Sequence, residues 1–501
     1  VEKEHSERNP TASNSEIINL RERIRLILMA RKLFKFITPI MGFAIGLGLL
    51  LWLWYGIGLN DGSIWMSLKA FLVVLLISYH LYCGKIVNAL SKNIRDKLEK
   101  LNIPLVVLEA DNYSETASVL KDFCIKNEVK NLYFNNEYPI NELERDRNIY
   151  SSFKEDGIGV FTYHDQVIHE PGSLKTTTGN NFSVYSPFKR KWFAELTESQ
   201  LVILDEPEKQ ESMCVEQTDL SNYLDEFAHP KSELWPAGEE FIQNYIDEFL
   251  KFKGTTYKVK RNFPAIDATA KLSPYINAGI VSSKWCLLKA REYNNGQLDD
   301  GNKGIVHWVS EILWREFYRH IVYNFPKVSK SLPFVDYTKN IPWNVNDEWL
   351  ERWKAGKTGI PIVDAGIREM LETGWMHNRL RMIVAMFLSK NLLINWQEGE
   401  KFFMQHLVDG DIASNNGGWQ WSASTGTDAA PYFRIMNPET QSIKFDPQGK
   451  YIKRWVPELA DCSEAEVHMP TSPERYNYPN PIVDLKESRK NAIDVFSASK
   501  S

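Results

Sequence analysis

Residues 408–438 read VDGDIASNNGGWQWSASTGTDAAPYFRIMNP, and they carry Asp409, Asp411, Asn415, Trp419, Trp421 and Arg434 with almost no apolar periodicity. Long irregular segments inside compact domains are usually functional. This one is expected to be a loop-rich wall of a site. Working back along the chain, TGWMHNRLRMIVAMFLSK (373–390) places Asn378, Arg381 and Met382 on one turn, just after Gly374 breaks the preceding helix. The plain alternative for its arginines is a solvated face.

Further upstream, HWVSEILWREFYRHIVYNFP (307–326) sets Trp308, Glu311 and Arg315 on one helix face, with Trp314, Phe317 and Tyr318 beside it. Glu311 and Arg315 are expected to form an i, i+4 pair. An acid and an arginine between two indoles suit a pocket that stacks a planar ring and hydrogen-bonds its edge. DATAKLSPYINAGIVS (267–282) puts Thr269 and Ser273 in a hydroxyl-rich turn entering a helix. Such a turn offers donors to phosphate, and simple N-capping explains it equally well.

Together with GKTGIPIVDAGIRE (356–369), these motifs resemble the class I photolyase and cryptochrome family from about residue 88 to 490. The resemblance implies an α/β antenna domain followed by a helical domain that holds FAD. By position it implies a flavin cavity lined by Tyr257, Thr269, Ala270, Lys271, Leu272, Ser273, Trp308, Arg315, Trp375, Arg381, Asp409, Asp411 and Asn415. Arg381 would pair with Asp409, and Asn415 would face the flavin ring. It implies a lesion pocket of Glu311, Trp314, Asn378, Met382 and Trp421, with Asn415 counted among the catalytic set. Arg261, Arg379 and Arg434 would hold DNA phosphates. Trp343, Trp396 and Trp419 would relay electrons, although Trp396 read without the resemblance is plain core. Asn141, Glu142 and Lys330 would contact a 5,10-methenyltetrahydrofolate antenna. The implied activity is light-driven repair of cyclobutane pyrimidine dimers in UV-damaged DNA, by a monomer. A cryptochrome-like blue-light photoreceptor is the alternative, and Asn415 and Met382 count against it.

Composition allows this reading. The chain has 501 residues, 43% hydrophobic and 25% charged, enough for two or three packed units. A net charge of -5 excludes a uniformly basic coat protein but permits a local basic groove. The five cysteines show neither CxxC pairing nor ligand spacing, so neither a disulfide framework nor a metal site is expected.

The N-terminal part has another texture. A polar and basic segment, 1–35, precedes two apolar runs, 36–59 and 64–84, and basic residues flank the outer ends of the pair. Each run is long enough to cross a bilayer, and the positive-inside rule puts both ends in the cytoplasm. A two-helix transmembrane hairpin over 36–84 is therefore expected, tethering a cytoplasmic catalytic domain to the inner membrane. Its second half, around Lys69 and His80, resembles the C-terminal half of the bacterial membrane protoporphyrinogen oxidase family.

The α/β texture over 86–168 suggests strands at 103–109, 131–135 and 160–164, with helices at 115–127 and after Ile140. Photolyases open on a strand with the pattern WFRxDLRxxDN, which this sequence lacks, so a truncated, partial Rossmann-like antenna domain is expected. Its three strands would then lack their middle partners. A linker at 169–240, a helical domain at 241–490 and a loose tail at 491–501 complete an α/β plus all-α organisation.

Overall fold

The computed structural model describes residues 96–211, 215, 217–218, 234–236 and 238–500. The N-terminal segment, the hairpin over 36–84 and its haem-pathway resemblance lie outside the described residues. Among those described, no helix is long and apolar enough to cross a membrane.

The α/β part is small. Strands β1 (Asn131–Asn135) and β2 (Gly159–Tyr163) pair in parallel, with Leu132 opposite Val160. Helix α1 (Thr116–Lys126) precedes β1, and α2 (Ile140–Glu155) joins β1 to β2 in the β–α–β order that parallel pairing requires. Cys124, Leu132, Ile149, Phe153 and Ile158 form their shared core. β1 and β2 thus partner each other directly. Residues 103–109, in contrast, form no strand. Their polar backbone groups are met individually: Thr218 N–H donates to the Leu105 carbonyl (3.1 Å), and Val107 N–H donates to Thr218 Oγ1 (2.9 Å). Apolar alternation specifies a face to bury, but a strand also needs a neighbour with a matching ladder.

Among the described residues, the helical part has two large cores and a small cluster of Ile341, Leu393, Ala492 and Phe496. The first gathers α3 (Tyr185–Glu195), α4 (Glu239–Phe252), α5 (Ser283–Tyr293) and α6 (Lys303–Asn324). The second gathers α7 (Pro361–Thr373), α8 (Asn378–Met386), α9 (Trp396–His406) and α10 (Ile412–Ala423) around Trp353, Trp396 and Trp419. Gly374 ends α7 with φ 73°, a left-handed cap that favours glycine.

Three further expectations need correction. The stretch read as a linker from 169 contains α3, whose Tyr185, Phe188 and Trp192 are buried in the first core while its lysines and arginine give it a polar look. The segment read as loop-rich contains α10, capped by Asp411, whose side chain accepts from Ser414 N–H at 2.9 Å. That helix buries polar and apolar residues on several sides, so it has no apolar stripe to read. The tail contains most of α11 (Leu485–Ala498), where Ala492 and Phe496, one turn apart, are fully buried.

A widened turn, Phe387–Asn391, joins α8 to α9 and buries Lys390 completely. Its Nζ lies 3.3 Å from the centre of the Phe496 ring and has no hydrogen-bond partner. Burial pushes the amine down to about 6. The unfolded chain therefore binds an extra proton between about pH 6 and the ordinary lysine value of about 10.4, and stability should climb with pH across that window. Lys390→Met is expected to stabilise the fold at pH 7 by on the order of 2 kcal/mol and to flatten this slope. Thermal melts of both proteins at pH 7 and pH 9 check it; equal midpoints and equal slopes would count against a neutral buried amine.

Candidate functional site

Helix α6 is the spine of the site. Asn302 caps its start, accepting from Gly304 N–H at 2.8 Å and Ile305 N–H at 3.2 Å. Trp308 is buried, whereas Glu311, Trp314 and Arg315 are half-buried along the predicted face. The Trp314 indole stacks on the Tyr185 ring with centroids 3.7 Å apart and planes 11° from parallel. This stacking fixes the indole before anything binds.

The expected Glu311–Arg315 pair is not formed. Glu311 pairs with Arg261, which is also near the Tyr257 ring. Arg315 instead donates to the Gln166 carbonyl at 2.8 Å and to Ser283 Oγ at 3.2 Å. A loop from the α/β side has drawn it away. Burial pushes the Glu311 carboxyl up, against the pull of Arg261, Lys189 and Arg379.

Loop 267–273 meets the start of α8. Ala270 and Leu272 are buried and Ser273 is exposed, at the start of the short turn Ser273–Asn277. Lys271 adopts φ 47° and lies 5.4 Å from the centre of the Trp375 ring. Thr269, Lys271 and Trp375 bound a cavity of about 270 Å³ together with Tyr275, Glu369 and His377. The other predicted flavin residues do not line it; Arg381 on α8 and Asn415 on α10 lie on helices that pack against each other.

There Arg381 donates through Nη2 to both oxygens of Asp409, at 3.0 and 2.8 Å, and its Nε donates to the Met376 carbonyl. The predicted pair is present. Asp411 receives both terminal nitrogens of Arg319, at 3.2 and 3.1 Å. Burial alone would raise the Asp411 carboxyl, but Arg319, Arg315 and Ser414 outweigh it and hold it below the usual range. Asn415 donates to the Glu400 carbonyl at 2.9 Å. Paired acids and arginines beside a buried indole fit a large, partly anionic, planar cofactor. Arg319 escaped the sequence reading.

The rim is basic. Arg261, Arg379 and Asn378 meet it at the start of α8, Met382 lies 3.9 Å from Arg379, and Arg379 covers the Phe445 ring at 4.5 Å. Arg434 is exposed and Trp421 half-buried at the two ends of segment 421–434. Lys189 and His307 join this rim unpredicted. Lys189 Nζ donates to Ser310 Oγ at 2.6 Å from 121 residues away, a contact that no local spacing signals. His307 is held down to about 4, by burial first and then by Arg261, Lys258 and Lys189, so it is neutral at pH 7.

Trp419 and Trp396 are buried in the second core, and Trp343 packs against it from the edge, 6.0 Å from the Phe496 ring. Trp353, not singled out from sequence, meets Trp419 edge-on at 6.0 Å. On the other side, Glu142 is buried and accepts from the Tyr113 hydroxyl at 3.0 Å, while Asn141 and Lys330 are exposed. Ile140 N–H donates to Ser329 Oγ at 3.1 Å, which brings the start of α2 against the turn that ends at Lys330.

Comparison with known proteins gives two separate matches: residues 89–209 match DNA photolyase, and residues 308–498 match the FAD binding domain of DNA photolyase. The chain is similar to the deoxyribodipyrimidine photo-lyase of Escherichia coli, with 37% identity over 426 residues, 83% of this chain and 89% of that one. The corresponding protein of Buchnera aphidicola is 39% identical over 416 residues, 81% and 85% of the two chains. In structure, the chain is similar to a bacterial class III photolyase from Agrobacterium tumefaciens, with TM-score 0.76, 32% identity, and 84% and 89% of the chains covered.

The close approach of Gly399 to Trp419 supplies a test of the second core. A Cβ at Gly399 would lie 2.0 Å from the Trp419 ring, so Gly399→Ala must displace that indole. The expected cost is about 1–3 kcal/mol, with an altered near-UV circular dichroism spectrum. Urea unfolding and that spectrum check it, and wild-type values in both would contradict the packing described.

Proposed function

The chain belongs to the DNA photolyase family, and we propose that it is a light-driven deoxyribodipyrimidine photo-lyase acting on cyclobutane pyrimidine dimers in DNA. The observation that carries this reading is Glu311 and Trp314 one turn apart on α6, beneath a rim of Arg261, Arg379 and Lys189. FAD, when bound here in reduced form, would supply the light-driven one-electron chemistry that opening a cyclobutane ring needs.

Everything else falls to the side chains. Trp314, ordered by Tyr185, and Trp421 offer apolar faces to a flipped dimer, with stacking on the order of 1–3 kcal/mol per base. Glu311 and Asn378 are suited to the edges of the bases, and Met382 to the apolar flank of a cyclobutane lesion, as in class I enzymes. Arg261, Arg379 and Arg434 provide the phosphate contacts. Arg381 and Asp409, with Tyr257, Trp308, Arg315, Trp375, Asp411, Asn415 and residues 269–273, would hold the cofactor. Arg381 there supplies fixed positive charge that costs no reorganisation. Trp419, Trp396 and Trp343 form a path from the interior towards the surface. The resemblance gives Asn141, Glu142 and Lys330 an antenna role, and the Ile140–Ser329 hydrogen bond, which brings their segments together, supports that reading. Tethering of this activity to a membrane rests on the sequence of residues 36–84 alone.

The test is incubation of the purified, flavin-containing chain with a thymine-dimer oligonucleotide under blue light, with restored thymines measured. Trp314→Ala is expected to bind dimer DNA about 5- to 150-fold more weakly, by the stacking estimate of about 1–3 kcal/mol, and Glu311→Ala to slow repair. Bound flavin that photoreduces while dimers stay intact would overturn the assignment.

A further inference from the structure

Arg261 has two claims on it. Its guanidinium pairs with Glu311, the acid of the lesion pocket, yet it stands on the basic rim where a DNA phosphate would arrive. Neither partner is sealed in, with side-chain exposures of 21% and 30%. The second rim arginine is also turned inward. Arg379 donates to Asn262 Oδ1, from the residue next to Arg261.

Charge is unbalanced at this point. Glu311 feels Arg261, Lys189 and Arg379, and it is the carboxylate that both Arg261 and Arg379 feel. Arg261 and Arg379 also repel each other. One acid thus serves three cations, and the cluster attracts a further anion.

We propose that Arg261 is a specificity-determining residue that exchanges partners, leaving Glu311 for a backbone phosphate when DNA docks and so releasing Glu311 to the flipped base. The proposal rests on the photolyase reading of this site. For the guanidinium, a carboxylate and a phosphate oxygen are similar charge-assisted partners, so the exchange costs it little. For Glu311, the outcome depends on the DNA. A flipped dimer gives the released carboxyl new hydrogen bonds, whereas an intact duplex leaves it partly buried with its main cation gone. The exchange therefore penalises undamaged DNA without penalising the lesion.

The experiment is a double-mutant cycle on the full, flavin-loaded chain. Dark binding of duplexes with and without one thymine dimer is measured by fluorescence anisotropy for wild type, Glu311→Gln, Arg261→Gln and the double variant. Flavin content and thermal midpoint serve as checks on the fold. Glu311→Gln is expected to tighten binding of the undamaged duplex by about tenfold and to shrink the damaged-to-undamaged ratio. In the Arg261→Gln background the same change should alter binding less than about twofold. Equal tightening in both backgrounds would show simple loss of a negative charge and would overturn the exchange. If Arg261→Gln alone leaves both duplexes bound as in wild type, the phosphate role itself fails, and the exchange with it.

Discussion

Glu316 is 2% exposed in the middle of α6 and accepts three hydrogen bonds: from Ile168 N–H at 3.0 Å, from His169 N–H at 3.0 Å and from Trp192 Nε1 at 2.8 Å. Burial pushes its carboxyl up while those donors and Arg315 pull it down. All three hydrogen-bond partners are donors, so the ionised form is the one this setting accommodates. Neighbouring residues of α6 grip the same loop. Arg315 donates to the Gln166 carbonyl, Arg319 Nε to Gln166 Oε1 at 3.1 Å, and His320 Nε2 to the His169 carbonyl at 3.0 Å. One turn and a half of α6 thus grips the loop that leads from the α/β part, beside the Ile140–Ser329 contact. The same helix carries Glu311 and Trp314, so this grip and the site share a rigid body.

The same logic extends to α10. Arg319 clasps Asp411, the cap of α10, and α10 carries Asn415, Trp419 and Trp421. Buried charges in this region are paired and hydrogen-bonded, which is the condition for keeping them inside a protein. Lys390, alone against an aromatic ring, breaks that pattern at a distance from the lesion face and marks where stability has been left unclaimed.

Much of this was legible from sequence where the signal is local. The helical spacing of Trp308, Glu311 and Arg315 and the helix break at Gly374 appear in the structure, and so does the Arg381–Asp409 pair, which only the family resemblance implied. The rest depends on partners far along the chain. Glu316 and His320 find theirs 124 to 151 residues away, and neither residue looks unusual in its own helix. Lys189 lay in a stretch whose charge suggested a linker. Helix α10 escaped because Asn416 and Gln420 are as buried as its apolar residues, held by Glu400 and by each other. At 103–109 the alternation indicated a buried face, but no pattern within a strand reports whether a neighbour is present.

The buried Glu316 carboxylate holds the loop against α6, and Arg315 and Arg319 on the same helix extend that hold to Ser283 and Asp411. Glu316→Gln keeps the shape but sets an amide against donors only, and it tests this most directly through urea unfolding and flavin content measured on one purified sample. The account predicts a loss on the order of 2 kcal/mol or more, together with a clear fall in bound flavin. A wild-type midpoint with full flavin would contradict it.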